Sequence, residues 1–111
     1  MGENLFDTNR LIEFQKSSKK DIEGFTTIFN IIEFPKSLEY FKKLKIVYPS
    51  NQDYESAIIL SQALYKIGKP IPPFDILIAA ICYNSKLTFI TSDKHYTLVK
   101  EIWNDFQFSQ K

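Results

Sequence analysis

Cysteine, arginine and histidine are nearly missing from this chain, at one residue each. A single Cys82 rules out an intrachain disulfide and points to a reducing, cytoplasmic compartment. Inside an apolar stretch such a cysteine reads as packing rather than chemistry. With Arg10 as the sole arginine, any grip on phosphate would rely on lysine point charges or backbone amides rather than bidentate forks. No apolar run reaches the roughly 20 residues a membrane helix needs. The opening Met1-Gly2-Glu3-Asn4 lacks a basic region followed by an apolar stretch, so no signal peptide is expected. The net charge of +1 excludes a general nucleic-acid coat protein and leaves a nuclease open. Disorder is excluded by 44% apolar and 15% aromatic residues, and 111 residues suit one domain, 1–111, with one core.

What is present is organised around the stretch from Pro72 to Asp93. Asp75 opens the apolar run Ile76-Leu77-Ile78-Ala79-Ala80-Ile81-Cys82, Asn84-Ser85 reads as a turn, and Leu87-Thr88-Phe89-Ile90 reads as a strand stopping at Asp93. A helix this apolar must lie against a sheet. The strand lacks polar alternation, which predicts cover on both faces, as in a parallel α/β sheet. The expected fold class is α/β, a three-layer α/β/α sandwich with a central, mostly parallel sheet. Ligands of such sheets bind at the carboxyl ends of the strands. Asp93 would lie at such an end, and Asp75, opening a helix, at the same edge.

Around this centre, Leu5-Phe6 reads as a brief first strand ending at Asp7, followed by a helix capped by Thr8 or Asn9. Phe25-Thr26-Thr27 is a second strand or a helix entry. In the next apolar segment Thr26, Asn30 and Glu33 share one narrow polar stripe at 100° per residue. Ser37 to Leu44 reads as an amphipathic helix, Ile46-Val47-Tyr48 as an edge strand, and Gln52 to Ile67 as a helix capped by Ser50 or Asn51 and stopped by Gly68. Asp53 and Glu55 fit the dipole of that helix. Phe106-Gln107-Phe108 reads as a last short strand.

Asp7, Glu33, Asp75 and Asp93 stand out by context. In a parallel sheet they could converge on one edge, where uncompensated carboxylates repel and their pKa values rise. A hard divalent cation resolves this, and oxygen ligands without a His/Cys cluster favour Mg²⁺ or Mn²⁺ over Zn²⁺. Carboxylate-held metal supports in-line phosphodiester hydrolysis. Each acid also has a plainer reading: Asp7 and Asp75 as helix-start acids, Asp93 as a turn or cap, Glu33 and His95 as solvated surface. Thr8, Asn9 and Thr91 are placed to support the acids by hydrogen bonds. Arg10 could contact a phosphate or sit on the surface.

These residues resemble the PIN-domain ribonucleases, in particular the VapC-type toxins of prokaryotic toxin–antitoxin pairs. Phe6-Asp7-Thr8-Asn9 looks like the family's first-strand motif, and Asn30-Ile31-Ile32-Glu33-Phe34 like its second-helix glutamate motif. Asp75-Ile76-Leu77-Ile78-Ala79-Ala80 looks like the third acidic motif and Thr91-Ser92-Asp93-Lys94-His95-Tyr96 like the fourth. The resemblance runs in order through nearly the whole chain. It implies Asp7, Asp75 and Asp93 as metal ligands, Glu33 as a ligand or orienter of water, and catalysis by all four. It further implies Mg²⁺ or Mn²⁺, an RNA substrate, a homodimer and an antitoxin protein that blocks the site. The short first strand, Arg10 in place of an aliphatic residue and His95 in place of an acid depart from the family pattern. Two other functions stay open: a non-catalytic binding protein on the same scaffold, and a receiver-like signalling domain. The adjacent acidic pair that a receiver needs after its first strand is missing from Asp7-Thr8-Asn9.

Overall fold

The computed structural model describes residues 3–110. Met1 and Gly2, on which the reading of the opening partly rests, lie outside them, as does Lys111. Five strands form one sheet: β1 (Asn4–Phe6), β2 (Gly24–Thr27), β3 (Leu44–Val47), β4 (Thr88–Ile90) and β5 (Phe108–Ser109). Their order is β3-β2-β1-β4-β5, and every pairing is parallel. Six helices connect them: α1 (Thr8–Lys16), α2 (Ile28–Glu33), α3 (Ser37–Tyr40), α4 (Asn51–Lys66), α5 (Pro73–Ser85) and α6 (Tyr96–Ile102).

Strand alternation splits the core in two. Leu5 of β1 pairs in register with Phe89 of β4, and both face a large cluster built from α4, α5 and α6. Their neighbours Phe6 and Ile90, also paired, face the other way, onto Leu11 of α1 and Phe41. Helices therefore cover both faces, which is the expected three-layer sandwich. The predicted burial of α5 is realised: Ile76, Ile78, Ala79, Ala80, Ile81 and Cys82 are all buried. Burial holds the Cys82 thiol well above its ordinary pKa of 9.0, as suits a packing residue.

Gly24 is the one place where sheet packing demands a glycine. At φ +146°, a Cβ there would lie 2.8 Å from the Asn4 carbonyl oxygen and 2.8 Å from the Phe6 ring. At the other end of the molecule, Gly68 takes φ +71° just past α4, where the helix was expected to stop.

Several expectations shift. α1 is capped by Asp7, not by Thr8 or Asn9. β4 ends at Ile90, so Asp93 lies in the following turn rather than at the strand end. The predicted turn at Asn84-Ser85 is the last turn of α5, which closes on Lys86 in a left-handed conformation. The predicted helix over Ser37 to Leu44 stops at Tyr40 because Phe41 turns extended, at φ −105° and ψ 101°, to deliver Leu44 into β3. Phe25-Thr26-Thr27 resolves as strand β2, with Thr27 capping α2.

β1 is the pivot of this topology. From it the chain builds outward to β2 and β3 on one side, then returns through α4 and α5 to place β4 on the other. The carboxyl ends of β1 and β4 thus flank the switch point where a doubly wound sheet opens a crevice.

Candidate functional site

Asp7 follows β1 at this switch point, half buried, and three hydrogen bonds fix its carboxylate. Oδ1 accepts from the Thr8 backbone N–H at 2.8 Å and from Asn30 Nδ2 at 3.3 Å. Oδ2 accepts from the Thr91 hydroxyl at 2.6 Å. The Asp7 N–H in turn donates to the Ile90 carbonyl at 2.9 Å, tying the turn after β1 to the end of β4.

The network continues into α2. Asn30 Nδ2 also donates to Thr8 Oγ1 at 2.9 Å, and Thr8 Oγ1 donates to Glu33 Oε1 at 2.6 Å. Asn30 is fully buried and its own oxygen accepts from the Thr27 hydroxyl at 2.7 Å. A buried amide with donor and acceptor both engaged has one orientation only. The polar stripe read from the sequence is therefore split in three. Glu33 is exposed at the site, Asn30 is a buried strut, and Thr26 belongs to β2, donating to the Phe6 carbonyl at 2.9 Å.

On the opposite side, Asp75 sits in the first turn of α5, which opens with Pro73 and carries no side-chain cap. Asp93 is held by its turn. Its N–H donates to Thr91 Oγ1 at 3.0 Å, and its Oδ1 accepts from the His95 N–H at 2.9 Å. His95 Nδ1 lies 3.3 Å from Asp75 Oδ2 and 3.4 Å from Asp93 Oδ1. One ligand atom from each of Asp75, Asp93 and His95 falls within 4.8 Å of the others. His95, read from the sequence as solvated surface, is exposed but lies between the two carboxylates, where its ring could join them in holding an ion.

Asp7, Thr8, Asn9, Glu33, Asp75 and Asp93 line one cavity of about 320 Å³, so the predicted acids share a single space. Burial raises the Asp7 pKa above its ordinary 3.8, against the Thr91 and Thr8 hydrogen bonds that lower it, and the charges of Glu33 and Asp75 raise it further. Burial likewise raises Asp75, opposed by the His95 hydrogen bond and reinforced by Asp93 and Glu33. Arg10 is turned away, 3.5 Å from Glu13 and 3.4 Å from the Gln110 carbonyl.

Comparison of the chain with solved structures bears on this geometry. It matches a chain of VapBC-1 from nontypeable Haemophilus influenzae at 18% identity and a TM-score of 0.71, over 96% of both chains. It matches a chain of DNA-bound VapBC from Salmonella typhimurium at 14% identity and a TM-score of 0.73, over 98% of both. A toxin–antitoxin complex from Klebsiella pneumoniae contains a further match, at 19% identity and a TM-score of 0.67, over 84% of this chain and 89% of that one. The fold is PIN-like. No family model matches the sequence, and no curated protein does.

The PIN-like fold puts its crevice where the acids are, and their chemistry suits a divalent cation. Among the described residues, His95 is the sole basic side chain within ion-pair distance of any of the four acids, and no lysine or arginine is. Two carboxylates are held above their ordinary pKa, first by burial and further by the charges of their acidic neighbours. The element that sequence reasoning passed over is Asn30, which joins Asp7 to the Glu33 side of the site. Its signal was present: an asparagine beside apolar neighbours, in phase with Glu33.

Proposed function

We propose that the chain is a Mg²⁺- or Mn²⁺-dependent endoribonuclease, the toxin of a toxin–antitoxin pair, folded as one domain over 1–111 and active in the cytoplasm. The observation that carries this reading is the convergence of Asp7, Glu33, Asp75 and Asp93 on one cavity with no lysine or arginine paired to them among the described residues. Asp75 and Asp93 would hold the ion together with Asp7, and His95 Nδ1 is close enough to share it. A divalent ion in such a site supplies charge neutralisation for a phosphate and acidifies the attacking water. The protein residues do the positioning. Thr91 fixes Asp7 and the Asp93 turn at once, Asn30 fixes the other Asp7 oxygen, and Thr8 fixes Glu33, which is free to orient water in the open cavity. Asn9 lines the cavity from its exposed position beside Thr8.

The VapBC neighbours support a protein antitoxin as partner. A homodimer has support in α4, whose Tyr54, Ile58 and Tyr65 are exposed at helical spacing along one side. No described helix is long and apolar enough to cross a membrane. A mixed RNA pool incubated with EDTA, Mg²⁺ or Mn²⁺ tests the reading: cleavage should require the metal and vanish in Asp7→Asn and Asp93→Asn. Wild-type protein inert with every metal, or variants that cut equally well, would leave the non-catalytic binding protein as the better account.

A further inference from the structure

One wall of the acidic cavity is apolar and faces solvent. Phe74, immediately before Asp75, is 61% exposed, and Ile32, immediately before Glu33, is 69% exposed. Both line the cavity with the carboxylates. Neither exposure is needed by the fold, since α5 is buried through its later turns and α2 through Ile31. Phe74 is nonetheless held in place. Its ring lies 5.2 Å from that of Phe29 at an interplanar angle of 36°, and Phe29 packs against the main core. The result is a braced aromatic face next to a metal-binding carboxylate.

A ligand that satisfies both walls must carry an anion, to meet the carboxylates through a cation, and a flat apolar face a few ångströms away. A nucleotide has both, and about 320 Å³ is a fitting space for one. We infer that Phe74 is a stacking platform for an unpaired base beside the phosphate to be cut, so that the site selects single-stranded over base-paired RNA. A base inside a duplex keeps both faces stacked and cannot reach the ring, whereas any unpaired base offers its π-face regardless of identity. Phe74 acts here as a positioning residue, and the proposal rests on the ribonuclease reading above.

The test uses the full chain and a fluorescent single-stranded RNA pool, with Ca²⁺ for binding and Mg²⁺ or Mn²⁺ for turnover. Phe74→Ala should weaken binding on the order of 5- to 150-fold, the range of one lost base–aromatic stack. KM should rise in step while kcat at saturating RNA holds, because the stack forms before the chemical step. Phe74→Trp should bind as well as wild type. An abasic ribose-phosphate oligomer should bind wild type and Phe74→Ala alike, and duplex RNA should bind poorly to both. Unchanged affinity and KM in Phe74→Ala, or an abasic oligomer bound as tightly as RNA, would overturn the platform and assign the wall to a protein surface. Wild-type cleavage with an indifferent Phe74 removes the platform alone; wild type that cleaves no RNA removes the nuclease reading and the platform with it.

Discussion

α1 and α4 each carry a partly or largely buried aspartate at the amino end, Asp7 as the cap of α1 and Asp53 in the first turn of α4, and the two live differently. Asp53, 5% exposed, closes a capping box: its Oδ2 accepts from the Ser50 N–H at 2.8 Å while its own N–H donates to Ser50 Oγ at 3.2 Å. Its Oδ1 accepts from Asn84 Nδ2 at 2.8 Å, stapling α4 to α5. Asp7 is as well supplied with donors, yet it also faces Glu33 and Asp75 across an open cavity, and its pKa is raised. Hydrogen bonding alone does not separate a structural acid from one proposed to act in the site. The difference is the company of other carboxylates around a space that a ligand can enter.

The contrast breaks hardest at Asp75. Asp75→Asn should reduce metal-dependent RNA cleavage to background while leaving the circular-dichroism spectrum native; unchanged cleavage would remove Asp75 from the site. Thr91→Val comes next. It removes a fully buried hydroxyl that donates to Asp7 and accepts from Asp93, and should weaken Mn²⁺ binding by calorimetry about 10- to 100-fold. On the structural side, Asp53→Ala should cost about 1–3 kcal/mol in denaturant unfolding, from the lost box and the lost bond to Asn84, whose amide keeps only Ser56 Oγ at 3.2 Å, with cleavage per folded molecule unchanged. Should that variant lose activity while fully folded, the two acids would not be different in kind.

The smallest effect is in pH. Asp7 and Asp75 have folded pKa values above the ordinary 3.8, so the folded state binds protons more tightly than the unfolded one. Their contribution to stability is fully present below 3.8 and is lost as pH rises through the raised values. Metal-free protein should therefore lose stability over that rise, and Asp75→Asn should flatten the slope. Metal-free melting curves from pH 3.5 upward would show it, and a wild-type slope identical to that of Asp75→Asn would contradict it.

The fold was legible because α5 and β4 are too apolar for anything but burial against a parallel sheet, and because the Ser50 and Gly68 punctuation marks α4 at both ends. Asp7 and Asp75 were legible by position, after a strand and at a helix start, Glu33 by its polar stripe, and Asp93 only to within the turn that follows β4. Asn30 was harder. Its phase with Glu33 placed it on the right side of α2, but burial and the two-way hydrogen bonding that make it a strut depend on the turn after β1, which is remote in sequence. His95 failed for a similar reason: the turn that aims its ring at Asp75 is held by Thr91 and Asp93 together. The helix from Ser37 was predicted but run on too far, to Leu44 instead of Tyr40, because the pull of Leu44 into β3 is a tertiary effect that outweighs local helical periodicity.

The hydrogen bond between Thr91 and Asp7 spans 84 residues of sequence. A ribosome that has released only the first 80 residues has made Asp7, Glu33 and Asp75 but neither β4, the second strand that pairs with β1, nor the hydroxyl and turn that complete the pocket. Such long-range closure is slow and comes late. On the nuclease reading the chain stays inert until Thr91 and Asp93 have been added, and cutting it ahead of Thr91 would disarm it without touching three of the four acids.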